Sequence, residues 1–267
     1  MKVIDKQRVQ RQFARAIRSY DTASLPQQRI ADDLIGWIHH CFNEQADIVL
    51  PISQVEQILE IGCGTGLLSE RLIALLGTEG KEYHLNDLVP EMQEAIAQKL
   101  RNFPYTFYAA DAELEPWQGS YQLIASNCCI QWWHQPLDFL KKGAVALSSG
   151  GVLACSTFLP DNLPELHTLL PQALPYPPIE AYEEVCRELH FRYYQLSPLE
   201  ITLHFPTLLE LLRHLKATGA NGVTPPSTLW TPQKLRTEEQ QLRQQLALAA
   251  DDLLPLTYHA LSIIAIK

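Results

Sequence analysis

Two hydrophobic periods divide this chain. Over residues 27–41, Ile30, Leu34, Ile35 and Ile38 recur at helical spacing, which predicts a helix with one apolar face. A second helix is predicted over 7–19, with a break between the two near 21–26. From residue 55 the pattern changes to short apolar runs over 55–61, 82–87, 105–110, 122–126 and 152–157. Runs this short read as strands, and helix-period stretches such as 67–76 and 137–147 lie between them. Alternation of this kind predicts a parallel sheet covered by helices on both faces. Gly150-Gly151 predicts the turn into the fifth strand.

Beyond Phe158 the rhythm breaks. Pro160, Pro164, Pro171, Pro175, Pro177 and Pro178 punctuate the next stretch. A helix is predicted over 180–189, strands over 191–196 and 201–205, and a helix over 207–218 ended by Gly219. A loop over 221–226, a helix over 232–250 and a last strand over 256–266 follow. We read the chain as one α/β domain, doubly wound, with a seven-stranded, mostly parallel sheet. Residues 1–45 form amino-terminal helices, 54–158 the core, and 159–255 mix sheet completion with a helical cap after the fifth strand. No internal repeat or low-complexity segment is present.

The densest signal is Ile58 to Gly66, Ile-Leu-Glu-Ile-Gly-Cys-Gly-Thr-Gly. A buried-strand pattern runs straight into a glycine-rich turn, where backbone without Cβ can pass close to a ligand. Asp87 ends the next strand, placed to take both hydroxyls of a ribose. A dinucleotide site would need a further glycine spaced for a pyrophosphate at a helix N-terminus, but Leu67 and Leu68 follow Gly66 at once. Glu60, just before the first glycine, would repel a pyrophosphate and welcome an ammonium. After the third strand, Asp111 and Ala112 are placed to meet an adenine edge. Acid, glycines, ribose acid and adenine acid together describe a nucleoside-type cofactor across the carboxyl ends of the strands.

Composition narrows the classes. The net charge of −9 argues against non-specific nucleic-acid binding. No apolar run reaches the ~18 residues needed to span a bilayer, and the first residues lack the apolar core of a signal peptide. The cysteines, Cys41, Cys63, Cys128, Cys129, Cys155 and Cys186, show neither Cys-x-x-Cys nor Cys/His ligand spacing. No metal is expected, and free thiols suit a cytoplasmic location. Cations cluster at the start: Lys2, Lys6, Arg8, Arg11, Arg15 and Arg18 against Asp5 make residues 1–18 net +5, leaving −14 for the remainder. Arg8, Arg11, Arg15 and Arg18 fall on one helical stripe.

The order of the glycine turn and its three acids resembles the Rossmann-like class I S-adenosylmethionine-dependent methyltransferases. A closer resemblance, to the malonyl-[acyl-carrier protein] O-methyltransferases of biotin synthesis, rests on residues spread over nearly the whole chain. These are Phe13-Ala14-Arg15-Ala16 with Tyr20-Asp21, Ser126-Asn127 with Gln131-Trp132, and Ser156-Thr157-Phe158 with Leu163-Pro164-Glu165-Leu166. Leu215-Lys216-Ala217-Thr218-Gly219-Ala220 and Pro255-Leu256-Thr257-Tyr258-His259 complete them. Leu88-Val89-Pro90 departs from that family's pattern, where a serine usually follows the ribose acid, and Trp133-His134 is a local variation.

The resemblance implies methylation of the free carboxylate of a malonyl thioester carried on acyl-carrier protein. It implies S-adenosylmethionine held by Glu60, Gly62, Gly64, Gly66, Asp87, Leu88, Asp111, Ala112 and Asn127. A malonyl carboxylate is already ionised at pH 7, so no general base is expected. Substrate positioning is expected from Tyr20, Gln131 and Trp132, with Arg213 and Lys216 on one helix face as a clamp. Tyr258 and His259 are lesser candidates. The stripe Arg8, Arg11, Arg15 and Arg18 is expected to dock the acidic carrier, and the protein is expected to be a monomer. A methyltransferase for another small acid or a quinone ring is one alternative. A non-catalytic S-adenosylmethionine-binding regulatory module is another.

Overall fold

The computed structural model describes residues 4–45, 48–169, 174–219 and 230–267. Lys2 and the predicted loop 221–226 lie outside them. Helices α1 (Lys6–Ala23) and α2 (Leu25–Glu44) precede the sheet. Asp5 caps α1 by accepting from the Arg8 amide at 3.0 Å, a short polar side chain taking up an orphan N–H. Then follow β1 (Gln57–Ile61), α3 (Leu67–Leu76), β2 (Glu82–Asp87), α4 (Met92–Lys99), β3 (Thr106–Ala109), β4 (Tyr121–Ser126), α5 (Asp138–Ala146) and β5 (Leu147–Phe158). After them come α6 (Ile179–Glu188), β6 (Tyr193–Phe205), α7 (Leu208–Ala217), α8 (Pro232–Gln245) and β7 (Leu254–Ile266).

The seven strands form one sheet in the order β3-β2-β1-β4-β5-β7-β6. β1 to β5 pair parallel, while β7 inserts antiparallel between β5 and β6. Strand period two sends Ile58 to one face and Leu59 and Ile61 to the other. Ile58 packs with Leu34 and Ile38 of α2, Leu68 and Leu72 of α3, and Ile96 of α4. Leu59 and Ile61 join Phe139 and Leu140 of α5 and Tyr182, Val185 and Cys186 of α6. Each fully buried leucine or isoleucine contributes roughly 1.5–3 kcal/mol, so these two layers hold the sheet. Beyond the carboxyl end of β5, Leu208, Leu211 and Leu215 of α7 and Leu242 of α8 close a third cluster over Phe158, Leu254 and Tyr258. In chain order α7 and α8 fall between β6 and β7.

Several elements differ from the sequence pattern. The predicted strands 191–196 and 201–205 are one strand, β6, which runs through Pro198. Among the described residues β6 pairs only with β7, and an edge strand tolerates a residue without an N–H. Gly150-Gly151 is no turn but part of β5: Gly150 adopts φ +74° and its amide donates to the Lys267 carbonyl at 2.8 Å. The β4–β5 register shifts there, between Tyr121 and Leu123, a bulge that lets β5 begin at Leu147. α4 has no counterpart among the predicted helices, because Met92 and Ile96 are its sole buried residues and so short a stripe gives a weak period. α8 ends at Gln245 rather than 250, where Ala247 turns to φ +52°.

α5 meets β5 closely at Gly143, where a Cβ would stand 2.0 Å from the Leu153 Cδ1 atom. We expect Gly143→Ala to overpack this contact and lower stability by about 1–3 kcal/mol, read as a reduced urea midpoint with an unchanged m-value.

Candidate active site

The site begins where β1 ends. Gly62, Gly64 and Gly66 all take positive φ, +68°, +54° and +85°, a region costly for any residue with a Cβ. Space imposes a second constraint at Gly62, where a Cβ would fall 2.2 Å from the Cys129 Sγ and 2.5 Å from its Cβ. At Gly64 a Cβ would meet nothing within 4 Å. The Gly64 amide instead donates to Asp87 Oδ2 at 2.8 Å, and the Val89 amide donates to Asp87 Oδ1 at 2.8 Å. Asp87 thus ties the ends of β1 and β2 together. Burial raises its pKa to about 6 even against these bonds.

Above this floor lies a cavity open at its mouth. Leu88, Asp111 and Ala112 line one flank, and Asn127, Cys128 and Trp132 the other. α1 forms the roof through Lys6, Val9, Phe13 and Tyr20. Phe13 meets Trp132 edge-on, with ring centroids 5.4 Å apart, and burial pushes the Tyr20 phenol far above its usual pKa.

The roof is pinned at both ends. At its start, Lys6 Nζ donates to both oxygens of Asp111 at 2.7 Å and pairs with Glu113. Burial alone would raise Glu113, but bonds from Lys6, His134 and the Gln135 amide bring it down to about 2. At the far end, Asp21 accepts from Thr65 Oγ1 at 2.5 Å and pairs with Lys99 at 2.8 Å. Midway, Gln10 donates to the Leu88 carbonyl at 3.2 Å. Against α7, Ser19 donates to the Ala217 carbonyl at 3.0 Å.

The β4 end is equally constrained. Asn127 donates to the Gln27 carbonyl at 3.1 Å and accepts from Ser156 Oγ at 2.7 Å. Cys128, at φ +50°, donates its amide to the same Ser156 hydroxyl at 2.9 Å. The next residues, Ile130–Trp132, form a 3₁₀ turn.

The structure therefore brings together Tyr20, Gly62, Gly64, Asp87, Leu88, Asp111, Ala112, Asn127 and Trp132. The other sequence-selected residues stand elsewhere. Glu60 points to the α3 side of the sheet, 1% exposed, and accepts from Ser69 Oγ at 2.6 Å; burial raises its pKa to about 8. Gly66 caps α3. Gln131 is buried behind the cavity, its Nε2 donating to the Cys128 carbonyl at 2.6 Å and its Oε1 without a partner. Arg213 and Lys216 are exposed on α7, as are Arg11, Arg15 and Arg18 on α1, with Arg8 half-buried. Tyr258 and His259 separate to opposite faces of β7: Tyr258 is buried beside His214, and His259 faces Asp161. Sequence reading missed Lys6 and Cys129, since neither one lysine in a cation-rich segment nor a second cysteine signals a wall.

The comparisons agree with this geometry. Residues 59–153 match the family model described as a methyltransferase domain. Solved methyltransferases share the fold. A putative methyltransferase from Bacillus halodurans C-125 is 12% identical, covering 79% of this chain and 92% of that chain, with a TM-score of 0.57. The plantazolicin methyltransferase BpumL, solved with SAH, is 17% identical, covering 99% and 97%, with a TM-score of 0.52. The class is thus the methyltransferase fold, its cavity at the carboxyl ends of the parallel strands. Three curated relatives, each a malonyl-[acyl-carrier protein] O-methyltransferase, align nearly end to end. The Porphyromonas gingivalis protein is 30% identical, covering 99% of this chain and 97% of its own. The Bacteroides thetaiotaomicron protein is 32% identical, covering 99% of each. The Haemophilus influenzae protein is 30% identical, covering 98% and 95%. The chain belongs to the malonyl-[acyl-carrier protein] O-methyltransferase family.

Glu60 makes the ligand-free protein sensitive to pH. From pH 4.5, the ordinary value, to about 8, the folded chain keeps a proton that the unfolded chain has released, so stability falls as pH rises through that window. Asp87 adds to this slope between 3.8 and about 6. Glu113 acts oppositely, its stabilisation being lost as pH falls from 4.5 toward about 2. We expect Glu60→Gln to flatten the alkaline decline, with a gain on the order of a few kcal/mol above pH 8. Urea unfolding at a series of pH values checks this, and parallel profiles for the two proteins would refute it.

Proposed function

We propose that the protein transfers a methyl group from S-adenosylmethionine to the free carboxylate of malonyl-[acyl-carrier protein], giving the methyl ester that primes pimeloyl synthesis for biotin. The observation that supports this best is the Asp87 carboxylate, locked to the glycine turn on the floor of a roofed cavity in a chain of that family.

The residues fit the cofactor. Gly64 offers open space where a Cβ would stand, and Asp87 supplies a buried carboxylate for a ribose diol. Asp111 and Ala112 flank the position for an adenine, with Lys6 holding the acid in place. Gly62 and Gly66 set the path of the turn, and Leu88 and Asn127 complete the walls. Glu60 stands outside this cavity, on the α3 side of the sheet, where it accepts from Ser69. S-adenosylmethionine, when bound, supplies an electrophilic methyl on a sulfonium.

The chain's own residues then have to orient a carboxylate and exclude water. The substrate is ionised at neutral pH, so no base is needed. Phe13 and Tyr20 of α1 cover the cavity, and Trp132 meets Phe13 from the β4 end. Their aromatic faces also suit a cation beneath them.

The exposed cations belong to a different task. Arg213 and Lys216 point to solvent on α7, which packs against α1. We therefore move them from carboxylate clamp to carrier docking, together with Arg11, Arg15 and Arg18, with Arg8 at the edge of the stripe. An acidic carrier would be steered to this basic surface on the helix whose inner face roofs the site. The cysteines are all free thiols, which suits a cytoplasm shared with the carrier protein. Among the described residues no helix is long and apolar enough to cross a membrane.

Purified protein given radiolabelled S-adenosylmethionine and malonylated carrier should yield labelled methyl ester; no label in the ester would end this reading. Reversing Arg11, Arg15 and Arg18 to glutamate should raise KM for the carrier-borne substrate about tenfold or more at low salt. The same variant should leave malonyl-pantetheine turnover unchanged. Equal losses on both substrates would show that the stripe does not dock the carrier.

A further inference from the structure

Lys142 of α5 is committed to one stretch of backbone. Its Nζ donates to the carbonyls of Ala112, Glu113 and Glu115 at 2.6, 2.8 and 2.7 Å. An ammonium has three protons, so all of them go to a single loop. The same Nζ stands over the Trp117 and Trp133 rings, 5.5 and 5.7 Å from their centroids, a cation–π setting that keeps it in place. Residues 111–115 have neither helix nor strand, so no regular ladder takes up these carbonyls and one cation does so instead. The loop gripped in this way carries Asp111 and Ala112 into the cavity wall, while its other groups stay available. The Ala112 amide donates to no group among the described residues. Asp111 Oδ1 accepts from Lys6 and from the Glu113 amide, whereas Oδ2 accepts only from Lys6 among the described residues. A carboxylate oxygen takes two donors, so Oδ2 keeps one place.

We propose that Lys142 is the positioning residue for base recognition at the cofactor site: by fixing the loop after β3 it keeps a donor, the Ala112 amide, in register with an acceptor, Asp111 Oδ2. This rests on the S-adenosylmethionine reading of the cavity and names the group that makes the site selective for adenine. Adenine offers the complementary pair, an amino group that donates beside a ring nitrogen that accepts. Hypoxanthine offers the reverse, a carbonyl oxygen beside a ring N–H. A loop held in register gains two hydrogen bonds with the first base and sets like against like with the second. A polar site left mismatched loses more than a missing contact would cost. A slack loop could shift to suit either base and would favour neither. Lys142 itself lies outside the cavity wall and acts through the backbone it holds.

The test compares the affinities of SAH and S-inosylhomocysteine, which differ only in the base, by titration calorimetry, so that turnover does not enter. The wild-type protein should favour SAH by about tenfold or more. Lys142→Met keeps the apolar stem over the tryptophans and removes the three donors. It should weaken SAH about tenfold and leave S-inosylhomocysteine within about twofold, narrowing the preference about tenfold. Lys142→Arg keeps the charge, but its planar fork cannot converge three N–H groups on one point. It should narrow the preference less, and it answers the same question where Lys142→Met does not fold. An unchanged preference in a folded variant, whether both affinities fall together or neither does, would reduce Lys142 to a scaffold residue and overturn the proposal. A wild-type protein that binds both ligands equally would overturn it too. A wild-type protein that binds neither ligand would instead remove the cofactor reading, and this inference with it.

Discussion

The contact between the turn after β1 and the end of β4 is the constraint on which the site depends. Gly62 has no room for a Cβ because Cys129 occupies that space, and the Gly64 amide is committed to Asp87 on the neighbouring strand. Three strand ends are thereby drawn to one point, with a backbone turn in place of side chains between them. Close approach of this kind requires glycine, and it leaves the floor of the cavity shaped before any ligand arrives. Preorganisation of that sort reduces what binding must spend on ordering.

Above the floor, one helix carries two chemistries. The inner face of α1 presents Val9, Phe13 and Tyr20 to the cavity, and its outer face presents arginines to solvent. Polar pins at both ends hold it: Lys6 to Asp111 and Glu113, and Asp21 to Thr65 and Lys99. The acids buried near the floor show how environment divides similar groups. Glu60 and Asp87 are raised by desolvation, whereas Glu113, with bonds from Lys6 and His134, is lowered. At Glu60 and Asp87 desolvation outweighs the hydrogen bonds each accepts, whereas at Glu113 the Lys6 cation and the bonds from His134 and Gln135 outweigh it.

Much of this architecture is legible along the chain. Short apolar runs from residue 55 to 157 mark the five parallel strands, most plainly β1, β4 and β5, which are buried along nearly their whole length, and Ile58 to Gly66 with Asp87 mark the floor. The failures have local causes. α4 shows too few buried positions to register a period. Pro198 reads as a break until β6 is seen to be an edge strand. Gly150-Gly151 reads as a turn because a bulge within a strand uses the same residues. Arg213 and Lys216 share a helix face as expected, yet helical spacing says nothing about whether that face meets a cavity or solvent.

The sequence by itself determined the class of sheet, the glycine turn, the ribose-side acid and the family resemblance, since each rests on residues close together in the chain or on local backbone preference. Tertiary structure alone decided that α1 roofs the cavity, that Cys129 enforces Gly62, and that Tyr258 is buried beside His214 while His259 faces away. Those facts join residues from 44 to 105 positions apart. Such pairings arise from how layers pack and which side chains a shared wall excludes, and no periodicity within a single segment encodes them.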